Sequence, residues 1–466
     1  MIAMALADIA GVVGGTVSGD PDLVVDGPAY VDSRSAVPGG LFVAIVGERV
    51  DGHDYADGAH AVLGSRPTAA PTVVVADPVV ALGRLARHVL DRVDATVLAL
   101  TGSQGKTGTK DYLAHVLAAA GPTVATQANN NNELGVPLTV LRADESTAYL
   151  VVEMGARGIG HIAYLCEIAP PQVAAVINVG TAHIGEFGSR EAIALAKGEI
   201  VESLPATGVA VLNTDDDLTA ALDARTDARV LTFGRAGDVT WRGVDLDDSG
   251  CPSFELGYAG EWHPVRLRQS GTHQVANAAA AAAMAVAVGT PAGSVADALG
   301  EARPASRWRM ELAERADGML VVNDAYNANP ASMAAAIDTL AEIGRRRGRR
   351  TVAVLGEMKE LGDEHVAGHE EVGRAVAEAG IEALVVVGEP AAAMATGARS
   401  VTSWDGEVIV TASRDEATSW LRQNALSTDV VLIKASRGAA LEEIAEALLA
   451  DAAGPATDHT PEGDAS

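Results

Sequence analysis

Thr101-Gly102-Ser103-Gln104-Gly105-Lys106-Thr107 lies between an apolar run at 95–100 and a stretch with helical spacing at 107–120. A strand, a glycine loop and a helix in that order make a cradle for phosphate. Gly102 and Gly105 let the backbone N–H groups around Ser103 turn inward, and the helix N-terminus adds positive potential. Lys106 is placed to reach terminal phosphates and the Thr107 hydroxyl to bind Mg2+. The complete Walker pattern carries glycine at position 100, where Leu100 stands here, so the match is to a shortened loop.

Outward from the loop the alternation continues, with strands at 149–152, 173–178 and 209–212 and helices at 161–168 and 190–204. Strands alternating with helices predict a parallel sheet. Residues 238–269 alternate polar and apolar through Phe254, Leu256, Tyr258 and Trp262 and read as β-hairpins. An alanine-rich helix at 274–288 and a second at 294–301 lead to Arg303-Pro304-Ala305-Ser306, which reads as a linker. Strands at 320–322, 352–355, 384–387 and 430–433, with helices at 331–343, 370–379 and 441–449, then predict a second doubly wound unit. Before residue 95, short strands at 40–46 and 72–75 and a helix at 79–93 predict a small α/β module. The expectation is an α/β chain of three domains, 1–94, 95–305 and 306–450, followed by an acidic tail, 451–466, that frays.

The 466 residues agree, since about 150 residues per domain also points to three units. Hydrophobic residues at 48% and charged residues at 21% exclude a mostly disordered or collagen-like chain. The 34 Lys and Arg against 62 Asp and Glu leave a net charge of −28, the wrong sign for holding nucleic acid through a general field. Any phosphate site must be built locally. Cys166 and Cys251 can form neither a disulfide framework nor a four-cysteine zinc site, and read as buried or neutral thiols. Residues 1–20 have no basic region before their apolar stretch, and 275–288 is too short to span a bilayer. A cytoplasmic protein without membrane insertion is expected, and nothing argues against a monomer. Of the 34 cations only Lys106, Lys110, Lys197, Lys359 and Lys434 are lysine. Arginine serves for generic charge, so the lysines that remain point to a need for an amine, which is compact and can deprotonate and react when buried.

Further candidates stand at strand ends. Glu153 ends its strand and is a hard oxygen ligand for Mg2+. His183 follows another strand in a glycine-rich loop, as a surface residue or a ligand. Lys197 falls in an apolar helical stretch, where it either snorkels into a salt bridge or, with a depressed pKa, reacts with carbon dioxide to a carbamate. The run 129–132 of asparagines, with Asn131 and Asn132, is a helix-capping turn or part of a site. Asp324, Asn327 and Asn329 precede one helix of the last segment, and Ser436 and Arg437 lie in another polar loop, together suggesting a ligand crevice.

Taken together these residues resemble the Mur ligase family. The resemblance runs from Asp32-Ser33-Arg34 and Asp51-Gly52-His53 to Lys434-Ala435-Ser436-Arg437, with Glu153-Met154-Gly155-Ala156, Ala196-Lys197-Gly198-Glu199 and His273 to Asn277 in the family's order. Asp324-Ala325-Tyr326-Asn327 and Gly356-Glu357-Met358-Lys359-Glu360-Leu361-Gly362 are most similar to its D-Ala-D-Ala-adding branch. The resemblance implies an N-terminal domain for a uridine diphosphate substrate, a central P-loop ATPase domain and a C-terminal Rossmann-like domain. It implies ATP and Mg2+ as cofactors and UDP-MurNAc-tripeptide and D-Ala-D-Ala as substrates, joined through an acyl phosphate. Carried over by position, Lys106 contacts the transferring phosphoryl group, Thr107 and Glu153 hold one Mg2+, and His183 with carbamylated Lys197 holds a second. Asn277 and Arg307 meet the nucleotide and Asp324 its ribose. Ser33 and Arg34 meet the uridine end, and Asn131, Asn132, Asn327, Asn329, Ser436 and Arg437 the substrates or the closing interface. Gly108 departs from the family, which has a hydroxyl residue there, at a helix-propensity cost of about 1 kcal/mol. Two other readings stand beside this one: a Mur-type ligase with a different amine or acid, and a P-loop kinase or nucleotide switch without ligation.

Overall fold

The computed structural model of the chain describes residues 1–47, 49–180 and 184–450, so the expected tail 451–466 and His183 lie outside the described residues. The phosphate-loop strand is Thr96–Thr101. Its neighbouring strands are apolar up to Glu153 at the carboxyl end, and its own side chains alternate between two cores, Val97 and Ala99 in one and Leu98 and Leu100 in the other. That is the pattern of a strand buried on both faces of a parallel sheet.

The sheet has nine strands in the order Glu261–Arg266, Pro252–Tyr258, Val239–Leu246, Arg229–Phe233, Val209–Asn213, Val173–Val176, Thr96–Thr101, Tyr149–Glu153 and Thr123–Ala125. Pairing is parallel from Thr123–Ala125 through to Val239–Leu246. Pro252–Tyr258 and Glu261–Arg266 form the antiparallel hairpin expected from their alternation. The loops after Thr96–Thr101, Tyr149–Glu153 and Val173–Val176 therefore open side by side on one carboxyl edge. The helix after the phosphate loop, Lys106–Ala118, packs on the alanine-rich helix His273–Ala287, whose residues 278–285 are at most 1% exposed. Alanine loses no side-chain entropy there and lets the two helices approach closely. Among the described residues no helix is long and apolar enough to cross a membrane.

The N-terminal module holds a five-stranded sheet, Thr16–Ser18, Thr72–Val74, Ala61–Gly64, Leu41–Val43 and Ala29–Tyr30, parallel except for the first pairing. Its helix Pro78–Leu90 starts at an Asp77 cap and sends Leu82 and Leu85 into the same core as Ile162 and Ile168 of the central segment. By packing, the chain divides into two units. Met1–Val244, Ser253–Leu267 and His273–Ala302 form the first; Asp245–Pro252, Arg268–Thr272 and the chain from Arg303 form the second. The N-terminal and central segments share a unit through that common core. We keep the boundary at 94/95 as a proposal because the two segments have separate sheets.

In the second unit six strands run Glu311–Glu314, Leu320–Asn323, Val430–Lys434, Thr351–Gly356, Ala383–Val387 and Glu407–Thr411, parallel except for the first. The two edge strands were not expected. Glu311–Glu314 is short, charged and half exposed, which blunts a sheet edge and erases the apolar signal, whereas Glu407–Thr411 has Val408-Ile409-Val410 as its only apolar run and leaves it partly exposed. Helices Pro330–Arg347, His365–Glu378 and Ala393–Arg399 cover one face through Met333, Val372 and Met394. Arg414–Asn424 and Glu442–Ala450 cover the other through Leu421 and Ile444. The neighbouring strands Thr351–Gly356 and Val430–Lys434 thus send their following loops to opposite faces, which opens a crevice between their carboxyl ends.

Candidate active site

The phosphate loop is braced from the neighbouring strand end. Asn178 Oδ1 accepts from the backbone N–H of Ser103 at 3.0 Å and of Gln104 at 2.9 Å, and its Nδ2 donates to Gln104 O at 3.2 Å. The Gly180 N–H donates to Ser103 Oγ at 2.9 Å. Gly105 is left-handed, with φ +75, and a Cβ there would lie 2.3 Å from Asn277 Oδ1. Only glycine fits. A Cβ at Gly108 would lie 3.1 Å from Asn277 Nδ2, so glycine there leaves room for Asn277. Lys106 Nζ turns back to donate to Gly102 O at 2.7 Å.

Beside the loop Glu153 is 1% exposed and accepts from two neutral donors, Thr107 Oγ1 at 3.0 Å and Asn131 Nδ2 at 2.8 Å. A buried carboxylate met by neutral donors is costly unless a cation joins it, and hydroxyl plus carboxylate oxygen is the donor set of Mg2+. In the asparagine run Asn131 reaches Glu153, whereas Asn132 Oδ1 accepts from Gly135 N–H at 3.0 Å, at the start of Gly135–Val140. Behind Glu153, Thr126 Oγ1 accepts its N–H, and buried Lys110 donates to Thr126 O at 2.9 Å while pairing with Asp111.

Lys197 lies in the helix Arg190–Glu202 and is 4% exposed. Burial, together with the charge of Lys106, pushes its amine well below the usual lysine range. His183, paired with it in the sequence reading, lies outside the described residues. Among the described residues no group of three His, Cys, Asp or Glu side chains gathers around a metal-sized space. Cys166 is buried, and its thiol is pushed up to about 12, in keeping with an inert thiol.

In the N-terminal module Ser33 and Arg34 form a short turn capped by Asp32, and the Arg34 guanidinium, 88% exposed, pairs with Asp32 at 2.7 Å. Those hydrogen bonds hold the Asp32 carboxyl at about 2. His53 ties Asp51 to Ser65, with Nδ1 2.5 Å from Asp51 Oδ1 and Nε2 accepting the Ser65 N–H at 2.8 Å.

The second unit gathers its polar residues at the strand ends. Lys434 Nζ donates to Asp324 Oδ2 at 2.6 Å and to Asn327 O at 2.8 Å, and Asp324 Oδ1 accepts the Met310 N–H. Lys434 is buried, its side chain 3% exposed, and Asp324 is partly buried at 13%. Asn329 is engaged in a capping box with Ser332 at the start of Pro330–Arg347, so its side chain serves the helix. Ser436 Oγ accepts the Lys359 N–H at 3.0 Å. Arg437 pairs with Glu442 and stacks over Trp308 at 4.4 Å, with Arg307 5.2 Å from the same ring. Asn178 and Glu442 were not among the expected site residues; Lys434 was marked by the scarcity of lysine and by its place in the loop 434–437, without a role.

Family models match residues 100–285 as the Mur ligase middle domain and 308–437 as the Mur ligase, glutamate ligase domain. A curated relative from Mycobacterium bovis is 43% identical over 97% of this chain and 98% of its own length. The chain belongs to the Mur ligase family. That relative, and one from Escherichia coli K12 at 36% identity over 96% and 99%, are named UDP-N-acetylmuramoyl-tripeptide--D-alanyl-D-alanine ligase. Among solved Mur ligases, MurF from Acinetobacter baumannii has a TM-score of 0.85 at 32% identity, covering 96% of this chain and 99% of that one. MurF from Thermotoga maritima, in complex with ADP, has a TM-score of 0.78 at 30% identity over 91% and 98%. The expected α/β architecture with mostly parallel sheets is that of these Mur ligases.

Proposed function

We infer that this Mur ligase is an ATP-dependent, ADP-forming peptide ligase that joins D-Ala-D-Ala to UDP-MurNAc-tripeptide. It yields UDP-MurNAc-pentapeptide, ADP and phosphate, a step of peptidoglycan precursor synthesis. What carries this reading is similarity along nearly the whole chain to relatives so named. The convergence of Lys106, Thr107 and Glu153 at the phosphate loop supports it. A carboxylate is a poor electrophile towards an amine at neutral pH, and phosphorylation supplies the leaving group that water cannot.

In this reading Lys106 meets the transferring phosphoryl group, and Asn178 and Gly105 keep the loop N–H groups turned towards the phosphates. Thr107 and Glu153 would hold Mg2+, which neutralises charge on the phosphates. His183 and Lys197 would hold a second ion. For that role the Lys197 amine adds to carbon dioxide, forming an N–C bond and releasing a proton, and the carbamate is a carboxylate. Its burial and lowered basicity support this, because only the neutral amine reacts. Asn277 and Arg307 meet the nucleotide. Asp324 meets the ribose, held in place by Lys434. Ser33 and Arg34 take the uridine end, and the crevice beside Asn327, Ser436 and Arg437 takes the amine. The enzyme works in the cytoplasm as a monomer, where ATP and the precursor meet.

Phosphate release from ATP with UDP-MurNAc-tripeptide tests the reading, using D-Ala-D-Ala, D-Ala, L-Lys or no amine. Release that requires D-Ala-D-Ala and yields the pentapeptide is expected. Release with no amine, or with only another amine, would assign the chain a different reaction. Lys197→Ala should lose most of the activity and regain part of it with short carboxylic acids, which replace the missing carboxylate. Unaltered turnover of that variant would remove the carbamate from the mechanism.

A further inference from the structure

His369 is a fully buried titratable residue with no part in the chemistry above. It stands in the helix His365–Glu378, and its two ring nitrogens have different partners. Nδ1 lies 2.6 Å from the His365 carbonyl, which can only accept, so Nδ1 carries the proton. Nε2 is then an acceptor, and it takes the backbone N–H of Met358 at 2.9 Å. The neutral Nδ1–H tautomer is the form that satisfies both contacts; an imidazolium would set an N–H against the Met358 N–H.

Met358 belongs to the loop that leaves the strand Thr351–Gly356 at its carboxyl end. On one side of Met358 the Glu357 carbonyl accepts the Ser436 N–H at 2.9 Å, and on the other the Lys359 N–H donates to Ser436 Oγ at 3.0 Å. Glu360 next to them is left-handed, with φ +66, a conformation a non-glycine residue keeps only where its surroundings fix it. The two loops stitched together here follow neighbouring strands whose helices depart to opposite faces, the place where open α/β sheets take ligands.

We propose that His369 is a positioning residue for the amine crevice: by accepting the Met358 N–H it sets the loop 357–361 against Ser436 and so fixes the wall that meets D-Ala-D-Ala. This rests on the functional reading above. Burial holds the ring below the usual histidine range; the His365 carbonyl raises it, the His365 ring lowers it, and Glu357, 3.7 Å from His365, raises it. Because the folded pKa is depressed, this contribution is present above the ordinary histidine pKa of about 6.5 and is lost as pH falls below it.

The test is steady-state kinetics of the full chain with His369→Leu and His369→Gln. Glutamine puts an amide oxygen near the place of Nε2, and leucine offers no acceptor. His369→Leu should raise KM for D-Ala-D-Ala by about tenfold, as expected for a buried N–H left unpaired. KM for ATP and for the UDP-tripeptide should stay within about twofold, and His369→Gln should recover most of the loss. Without needing any variant, hydrogen exchange at the Met358 amide of the wild type should slow on adding D-Ala-D-Ala and not on adding ATP. Wild type that turns over while folded His369→Leu keeps its KM for the dipeptide, or shifts all three KM values together, overturns the role of His369. Unchanged Met358 exchange on adding the dipeptide overturns it too. Wild type that makes no pentapeptide overturns the functional reading instead.

Discussion

Lys106→Ala should yield a folded chain that forms no trappable acyl phosphate. The amine lies over the loop, 2.7 Å from Gly102 O, close enough to swing onto a phosphate without moving the backbone. Alanine removes the charge that follows the phosphoryl group and leaves the bracing by Asn178 intact. Loss of one preorganised charge in a water-excluded phosphoryl site costs about 10³-fold or more in kcat. Hydroxylamine converts an acyl phosphate to a stable hydroxamate, so the yield of UDP-tripeptide hydroxamate reads the first half-reaction alone. Wild-type yield from the variant would separate Lys106 from the chemistry and overturn the site. Circular dichroism should be unchanged, because the side chain is half-buried at the loop and outside the apolar cores.

Lys434→Met should strongly destabilise the second unit. It leaves the Asp324 carboxylate, 13% exposed, without its cation. Removing one partner of a buried pair costs about 3–5 kcal/mol, because the remaining charge is uncompensated. Asp324→Asn in the same chain removes that charge, so the double variant should recover more than half of the loss. A chain of several units does not unfold in two states, so local hydrogen exchange is the suitable measure. Protection of Leu320–Asn323 and Val430–Lys434 should fall together in Lys434→Met, with that of Thr96–Thr101 unmoved. Equal protection in the single and double variants would mean that the pair adds nothing.

The phosphate loop was legible because its information is local. An unbroken apolar strand, two glycines and a lysine within seven residues can fold in few ways, and the strand and helix fall within two residues of their expected ends. The hairpin and the alanine helix were legible for the same reason, one periodicity each. Lys434 and Asp324 are 110 residues apart, and their meeting depends on two strands becoming neighbours, which no local pattern states. Asn178 brings the same difficulty, 75 residues from the Ser103 it braces. Asn329 shows the opposite problem. Its position before a proline-started helix signals a cap, yet the same residue in a polar loop also reads as a ligand, and geometry was needed to choose.

The small number of lysines has a practical consequence for anyone wishing to put a probe on this enzyme. Lys110, Lys197 and Lys434 are at most 4% exposed, and Lys106 is folded back over its loop. Lys359 is the lysine that the fold leaves in solvent. An amine-reactive dye or a lysine-directed crosslinker therefore meets one ready side chain, set in the loop that His369 supports. Among the lysine side chains, Lys359 is therefore the one such a probe would reach first, alongside the N-terminal amine.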